Sequence, residues 1–129
     1  MSIEAYKNNS VETASPGELT LMLYNGGIKF IQTAMKSIES KQFEKKNTSI
    51  QRAQAVISEL TVTMNRDYSI SKEVLPLYEY MNRRLIEANV KNDIEALKEV
   101  EELFVDFRDT WKQVILIDRQ ARNRNGERA

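Results

Sequence analysis

Cysteine and histidine are both missing from this 129-residue chain. Without cysteine there is no disulfide framework and no thiolate zinc site, which suits a reducing cytoplasm. Without histidine the chain lacks the commonest general base near neutral pH and the commonest metal ligand, which weighs against catalysis. Glycine (4) and proline (2) are scarce, favouring long regular elements over a turn-rich β fold. No apolar run reaches membrane-spanning length. The start, MSIEAYKNNS, has no basic flank followed by an apolar stretch and does not read as a secretory signal.

What is present fits one soluble globular domain: 41% hydrophobic and 29% charged residues, on a chain long enough for a single core. The 19 basic and 19 acidic residues cancel, but unevenly. From Arg119 onward there are four arginines and one glutamate, leaving 15 basic and 18 acidic residues before it. A mildly acidic body with a short basic end is a poor nucleic-acid binder. The end itself, RQARNRNGERA, reads as a disordered polar tail over 119–129.

Four stretches carry the 3–4 spacing of apolar residues that marks one face of a helix. The first is Leu21, Tyr24, Ile28, Ile31, Met35 and Ile38, and the second Ile50, Ala53, Ile57, Leu60 and Met64. The third is Val74, Tyr78, Met81, Leu85 and Ala88, and the fourth Leu97, Val100, Phe104, Phe107, Trp111 and Val114. Helices are expected near 16–40, 46–66, 72–90 and 93–119. Ser15-Pro16-Gly17-Glu18 is a capping box with proline where its missing N–H costs nothing. Asn92 with Glu95 resembles a second box, and Thr48 with Gln51 a softer third. Pro76 predicts either a later start or a kinked first turn for the third helix. Short connections make neighbours antiparallel. The expected fold is all-α, an up-down four-helix bundle over 15–118, preceded by an N-terminal cap segment over 1–14.

The first helix has more apolar surface than one seam needs. Leu23, Gly27, Phe30 and Ala34 form a second line, flanked by Leu19, Met22 and Gly26. Gly26 and Gly27 each cost about 1 kcal/mol of helix propensity, a cost that persists where another backbone or a bound peptide approaches closely. On the second helix, Ala55 and Val56 are expected to turn partly away from the seam, and the two small alanines flanking Gln54 to leave a shallow groove, with tight packing of small residues as the simpler reading. Tyr78 and Tyr80 cannot share a helix face, so one is expected outside the core. The leader carries Ile3, Tyr6 and Val11 without helical period, and is expected to lie over part of the bundle. A hydrophobic staple is the simpler reading.

The stretches AYKNNSVETASPGELTLMLYNGGIKFI, NTSIQRAQAVISEL and LYEYMNRRLIEANVKND, with the late Trp111, together resemble the flagellin export chaperone family, FliS. The similarity runs from about Tyr6 to Trp111. One departure is Tyr24-Asn25-Gly26-Gly27, where the family usually has Tyr-Asp-Gly-Ala. The resemblance implies a cytoplasmic bundle that is not an enzyme and uses no cofactor. It implies binding of the C-terminal region of flagellin, which prevents premature polymerisation. It also implies delivery to the cytoplasmic domain of the export gate membrane protein, with room for other flagellar assembly regulators. Neither nucleic acid nor direct membrane insertion is implied. In the family the client wraps the bundle and displaces the chaperone's own N-terminal segment, the role that falls here to Ile3, Tyr6 and Val11. Family resemblance with face geometry assigns client binding to Asn47, Ile50, Gln54, Ile57, Tyr78 and Leu85. Two rival readings are a structural bundle that self-associates through its surplus face and a carboxylate-bridged metal enzyme. The second needs Glu-x-x-His pairs that this chain cannot supply. Glu99, Glu101 and Glu102 read instead as a solvated face.

Overall fold

A computed structural model describes residues 16–67 and 69–124. They form four helices: α1 (Pro16–Glu39), α2 (Phe43–Thr63), α3 (Ser71–Lys91) and α4 (Ile94–Arg124). Among the described residues there is no strand. Helix α1 packs on α2 and α4, and α3 packs on the same two from the other side, which closes a four-helix ring. The expected all-α bundle is what the chain forms. The leader residues Ile3, Tyr6 and Val11, and the capping residue Ser15, lie outside the described residues.

The connections explain the helix ends. After α1, Lys41 adopts φ 60 while Gln42 N–H donates to the Ser37 carbonyl at 2.8 Å. After α3, Asn92 takes φ 52, and Asp93 N–H donates to the Ala88 carbonyl at 3.1 Å. Both are left-handed C-terminal caps that satisfy orphan carbonyls. This corrects the box expected at Asn92. A residue closing α3 in the left-handed region cannot also open α4, and Asp93 does so instead, its Oδ1 accepting from Ala96 N–H at 3.2 Å. Thr48 is no cap either. Helix α2 starts earlier, at Phe43, so the Thr48 hydroxyl bonds back to the Glu44 carbonyl within the helix. Pro76 does not delay α3, which begins at Ser71. Lys72, whose carbonyl loses its donor to the proline, is exposed to solvent. Helix α4 runs through Arg124, past the end expected at 119.

The second apolar line of α1 is consumed by the bundle rather than left outside. Leu23, Gly27 and Ala34 are buried and Phe30 is half-buried. The reason is closeness: α1 lies much more tightly against both α2 and α4 than α3 does, and needs two apolar faces of small and large side chains to do so. Gly27 meets α4, where a Cβ would stand 2.7 Å from Phe104 Cζ. Gly26 is buried too. On α2, Val56 is likewise fully buried, against expectation, and only Ala55 is half-exposed. Beside Phe104, the rings of Tyr24 and Phe107 stack at 5.9 Å, and Tyr78 meets Phe107 edge-on at 5.4 Å.

Candidate functional site

The seam between α2 and α3 is bridged by side-chain amides. Gln54 Nε2 donates to Asn82 Oδ1 at 2.9 Å, and Asn89 Nδ2 donates to Asn47 Oδ1 at 2.7 Å. Asn47 and Gln54 are seven residues apart, as are Asn82 and Asn89. Two helical turns separate the rungs on each side, so both pairs fall on facing flanks of antiparallel helices. At the α3 end of the seam Lys46 is buried, and its ammonium donates to the Asn89 carbonyl at 2.8 Å.

Beyond the Gln54–Asn82 rung lies a groove of about 260 Å³, lined by Ile57, Ser58, Thr61 and Val62 from α2 and Tyr78, Glu79 and Asn82 from α3. Apolar side chains stand in solvent along the same side: Val62 at 77% exposure, Ile86 at 49% and Val90 at 77%. A groove floored by apolar atoms, with amides on its walls, can hold a peptide by burial and serve its backbone with donors and acceptors.

The six residues assigned to the site from sequence divide accordingly. Asn47 and Gln54 are at the surface of this seam and make its rungs. Ile57 and Tyr78 are buried but reach the groove floor. Ile50 and Leu85 are fully buried core, so a peptide on this face touches their neighbours and not them. Each follows a wall residue by three positions (Ile50 after Asn47, Leu85 after Asn82), which rotates it about 60° onto the face that its helix gives to the bundle interior. Sequence reasoning missed Thr61, Val62, Asn82, Ile86 and Val90. The signal for the last two was available: apolar residues four apart and off the main seam of α3.

The opposite flank of α3 is closed by charge. Glu99 Oε1 accepts from Tyr80 OH at 2.8 Å and from Arg84 Nε at 2.7 Å, and Arg84 also pairs with Glu87 at 2.6 Å. Glu99 is therefore an anchor between α3 and α4, not simply part of a solvated face. The hydrogen bonds from Tyr80 and then Arg84 hold its carboxyl below the ordinary value. The hydrogen bond to Glu99 raises Tyr80 in turn. In the core, Tyr24 OH and Tyr78 OH share a 2.6 Å hydrogen bond. Burial raises the pKa of both, so both stay protonated at neutral pH. Tyr78 buried and Tyr80 half-exposed is the division the spacing required. Among the described residues no group of His, Cys, Asp and Glu is placed to hold a metal ion, and no helix is long and apolar enough to cross a membrane.

The described residues form a small four-helix bundle whose α2–α3 seam is bridged by amides and lined by apolar atoms, a surface suited chemically to a partner segment. The family model described as flagellar protein FliS matches residues 2–118. The chain is 51% identical to the flagellar secretion chaperone FliS of Bacillus subtilis (strain 168) over 95% of this chain and 92% of that one. It is 31% identical to the Escherichia coli (strain K12) protein of the same name, over 84% and 82% of the two chains. The Salmonella typhimurium (strain LT2) protein of that name is 32% identical, over 87% and 88%. The chain belongs to the FliS family of flagellar proteins, and membership supports an export chaperone role.

Proposed function

We propose that this protein is a cytosolic export chaperone for flagellin. It binds the disordered C-terminal segment of flagellin, keeps it from polymerising prematurely and presents it to the cytoplasmic domain of the flagellar export gate. The relatives named flagellar secretion chaperones support the class. The observation that carries the binding surface is the α2–α3 seam, where Val62, Ile86 and Val90 stand exposed beside amide pairs that bridge two helices.

The physical logic follows from the client. A disordered segment loses about 2–5 kcal/mol in ordering when it folds on a partner. A surface that offers scattered apolar contacts and exchangeable amides recovers that cost over a large area without locking the client irreversibly. Asn47, Gln54, Asn82 and Asn89 each have amide donors and acceptors that their cross-seam partners do not use up. The leader, with Ile3, Tyr6 and Val11, competes for the client surface in this reading. A cover of that kind lowers apparent affinity by the fraction of molecules that are open.

The test is calorimetry of the full chain with a flagellin C-terminal peptide. The Ile86→Asp/Val90→Asp variant, with helical circular dichroism intact, is expected to bind at least about tenfold more weakly, or 1.4 kcal/mol. No binding by the parent chain sinks the client assignment. Undiminished binding by the variant sinks the seam. Removal of residues 1–12 is expected to tighten binding, and weakening comparable to the seam variant would make the leader a clamp rather than a cover.

A further inference from the structure

The α2–α3 seam is kept nearly free of charge. From Asn47 to Val62, α2 carries two charged residues, Arg52 and Glu59. Each follows a rung residue by five positions, Arg52 after Asn47 and Glu59 after Gln54, which turns it about 140° round the helix from the seam. What α2 sets beside the seam is Asn47, Gln51, Gln54, Ser58, Thr61 and Val62. On α3, Arg84 pairs with Glu87 and Glu99 on the opposite flank. Glu79, on the groove wall, and Arg83 are four residues apart and opposite in sign, so the strip has no net charge.

Along this strip the apolar atoms gather at two ends. At one end Ile57, Val62 and Tyr78 line the groove. At the other, Ile86 and Val90 stand in solvent. Phe43 belongs to that second end: its ring is half-exposed and 5.9 Å from the Lys46 ammonium, which is bonded to the Asn89 carbonyl. Tyr78 precedes Ile86 by eight residues and Val90 by twelve. The two ends are therefore about 12–18 Å apart along α3, with the Gln54–Asn82 rung between them.

On the reading of this protein as a flagellin chaperone, we propose that the seam selects its client by neutrality. The docking segment has two apolar clusters joined by uncharged residues and turns no charged side chain to the strip. In a helical client the clusters stand about eight to twelve residues apart. The physical reason is the lack of counter-charge. A carboxylate or ammonium lowered onto the strip gives up water against Gln51, Gln54, Ser58 and Thr61, which offer it no opposite charge. A client amide or hydroxyl finds both donors and acceptors there. At the edge, Glu79 and Arg83 meet a charge of either sign with one attraction and one repulsion. With no ion pairs to screen, the affinity is insensitive to salt.

The experiment is calorimetry of the full chain with the flagellin C-terminal peptide and with three designed helical peptides of one length. These share two leucine pairs ten residues apart and differ only between the pairs on the same face, in glutamine, glutamate or lysine. The glutamine peptide is expected to bind equally at low and high salt, and the other two at least about tenfold more weakly. Ser58 is exposed, so Ser58→Asp and Ser58→Lys are expected to leave circular dichroism unchanged. Both should weaken the glutamine peptide, and the flagellin peptide, about tenfold. Weakening by one sign with tightening by the other means that the client brings a charge, and overturns the proposal. So does a charged peptide that matches the neutral one, affinity that falls with salt, or no binding by the glutamine peptide. A dimer in sedimentation velocity that Ser58→Asp dissolves gives the strip to a second copy and overturns it too. Failure of the flagellin peptide alone, with the glutamine peptide bound as expected, sinks the client assignment and supports the neutrality rule.

Discussion

Gly27 of α1 and Phe104 of α4 are in edge contact: a Cβ built on the glycine would lie 2.7 Å from Phe104 Cζ and 3.0 Å from Cε1 and Cε2. Phe104 is fully buried and its ring cannot withdraw. The glycine costs about 1 kcal/mol of helix propensity and in return lets the ring seat against the α1 backbone. Gly27→Ala regains that propensity and incurs an overpacking cost of about 1–3 kcal/mol. A net loss of up to about 2 kcal/mol is expected in urea denaturation. Phe104→Leu should relieve the clash, so a double-mutant cycle is expected to return a coupling of about 0.5–3 kcal/mol. Additive behaviour would mean the ring does not sense position 27.

The Tyr24–Tyr78 hydroxyl pair sets a limit at alkaline pH. Both pKa values are raised, chiefly by burial, whereas an unfolded tyrosine ionises near pH 10. Their contribution to stability is therefore complete below about pH 10 and is lost as pH rises toward the folded values. Tyrosinate absorbance from this pair is expected only as helical circular dichroism disappears. Tyr24→Phe leaves the Tyr78 hydroxyl buried without its partner, at about 1–3 kcal/mol. Replacing both by Phe should cost less than the sum of the single changes. A tyrosinate signal from the pair in the intact bundle would contradict the burial.

The four helices were legible because every core face repeats at 3–4 spacing, from Tyr24 and Ile28 on α1 to Val100 and Phe104 on α4. Helix ends were less so, because Asn92 reads equally well as the end of one helix or the start of the next, and only its backbone angle decides. The site was half legible. Asn47 and Gln54 could be placed on a flank, but Ile50 and Leu85 could not be told from core, since a core residue and a groove residue share chemistry and differ only by the helix opposite. The second apolar line of α1 misled for the same reason: Leu23 and Ala34 signal a second neighbour without saying whether it belongs to the chain.

Lys41 and Asn92 close their helices in the same left-handed conformation, at φ 60 and 52, but only asparagine is suited to it. Lys41 is exposed, so its side chain gives up little on removal. Lys41→Gly is expected to stabilise the fold by about 1 kcal/mol, seen as a higher urea midpoint with unchanged slope. Asn92→Ala should do the reverse. A neutral or negative result at Lys41 would show that glycine's freedom in the unfolded chain offsets the relief of strain.

Lys46 is the buried cation of the α2–α3 seam. Its ammonium donates at 2.8 Å to the carbonyl of Asn89, in the last turn of α3. The next donor along, Asp93 N–H, goes to Ala88 instead. Lys46 therefore satisfies a helix-terminal carbonyl and places a positive charge at the negative end of the α3 dipole. Lys46→Met keeps the aliphatic stem packed and removes only the charged donor. A loss of about 1–3 kcal/mol is expected. Hydrogen exchange should locate it: amides of the first turns of α2 and the last turn of α3 should lose protection before those around Gln54 and Asn82. Uniform loss along both helices would mean that the seam opens as a unit and that Lys46 does not fasten one end of it.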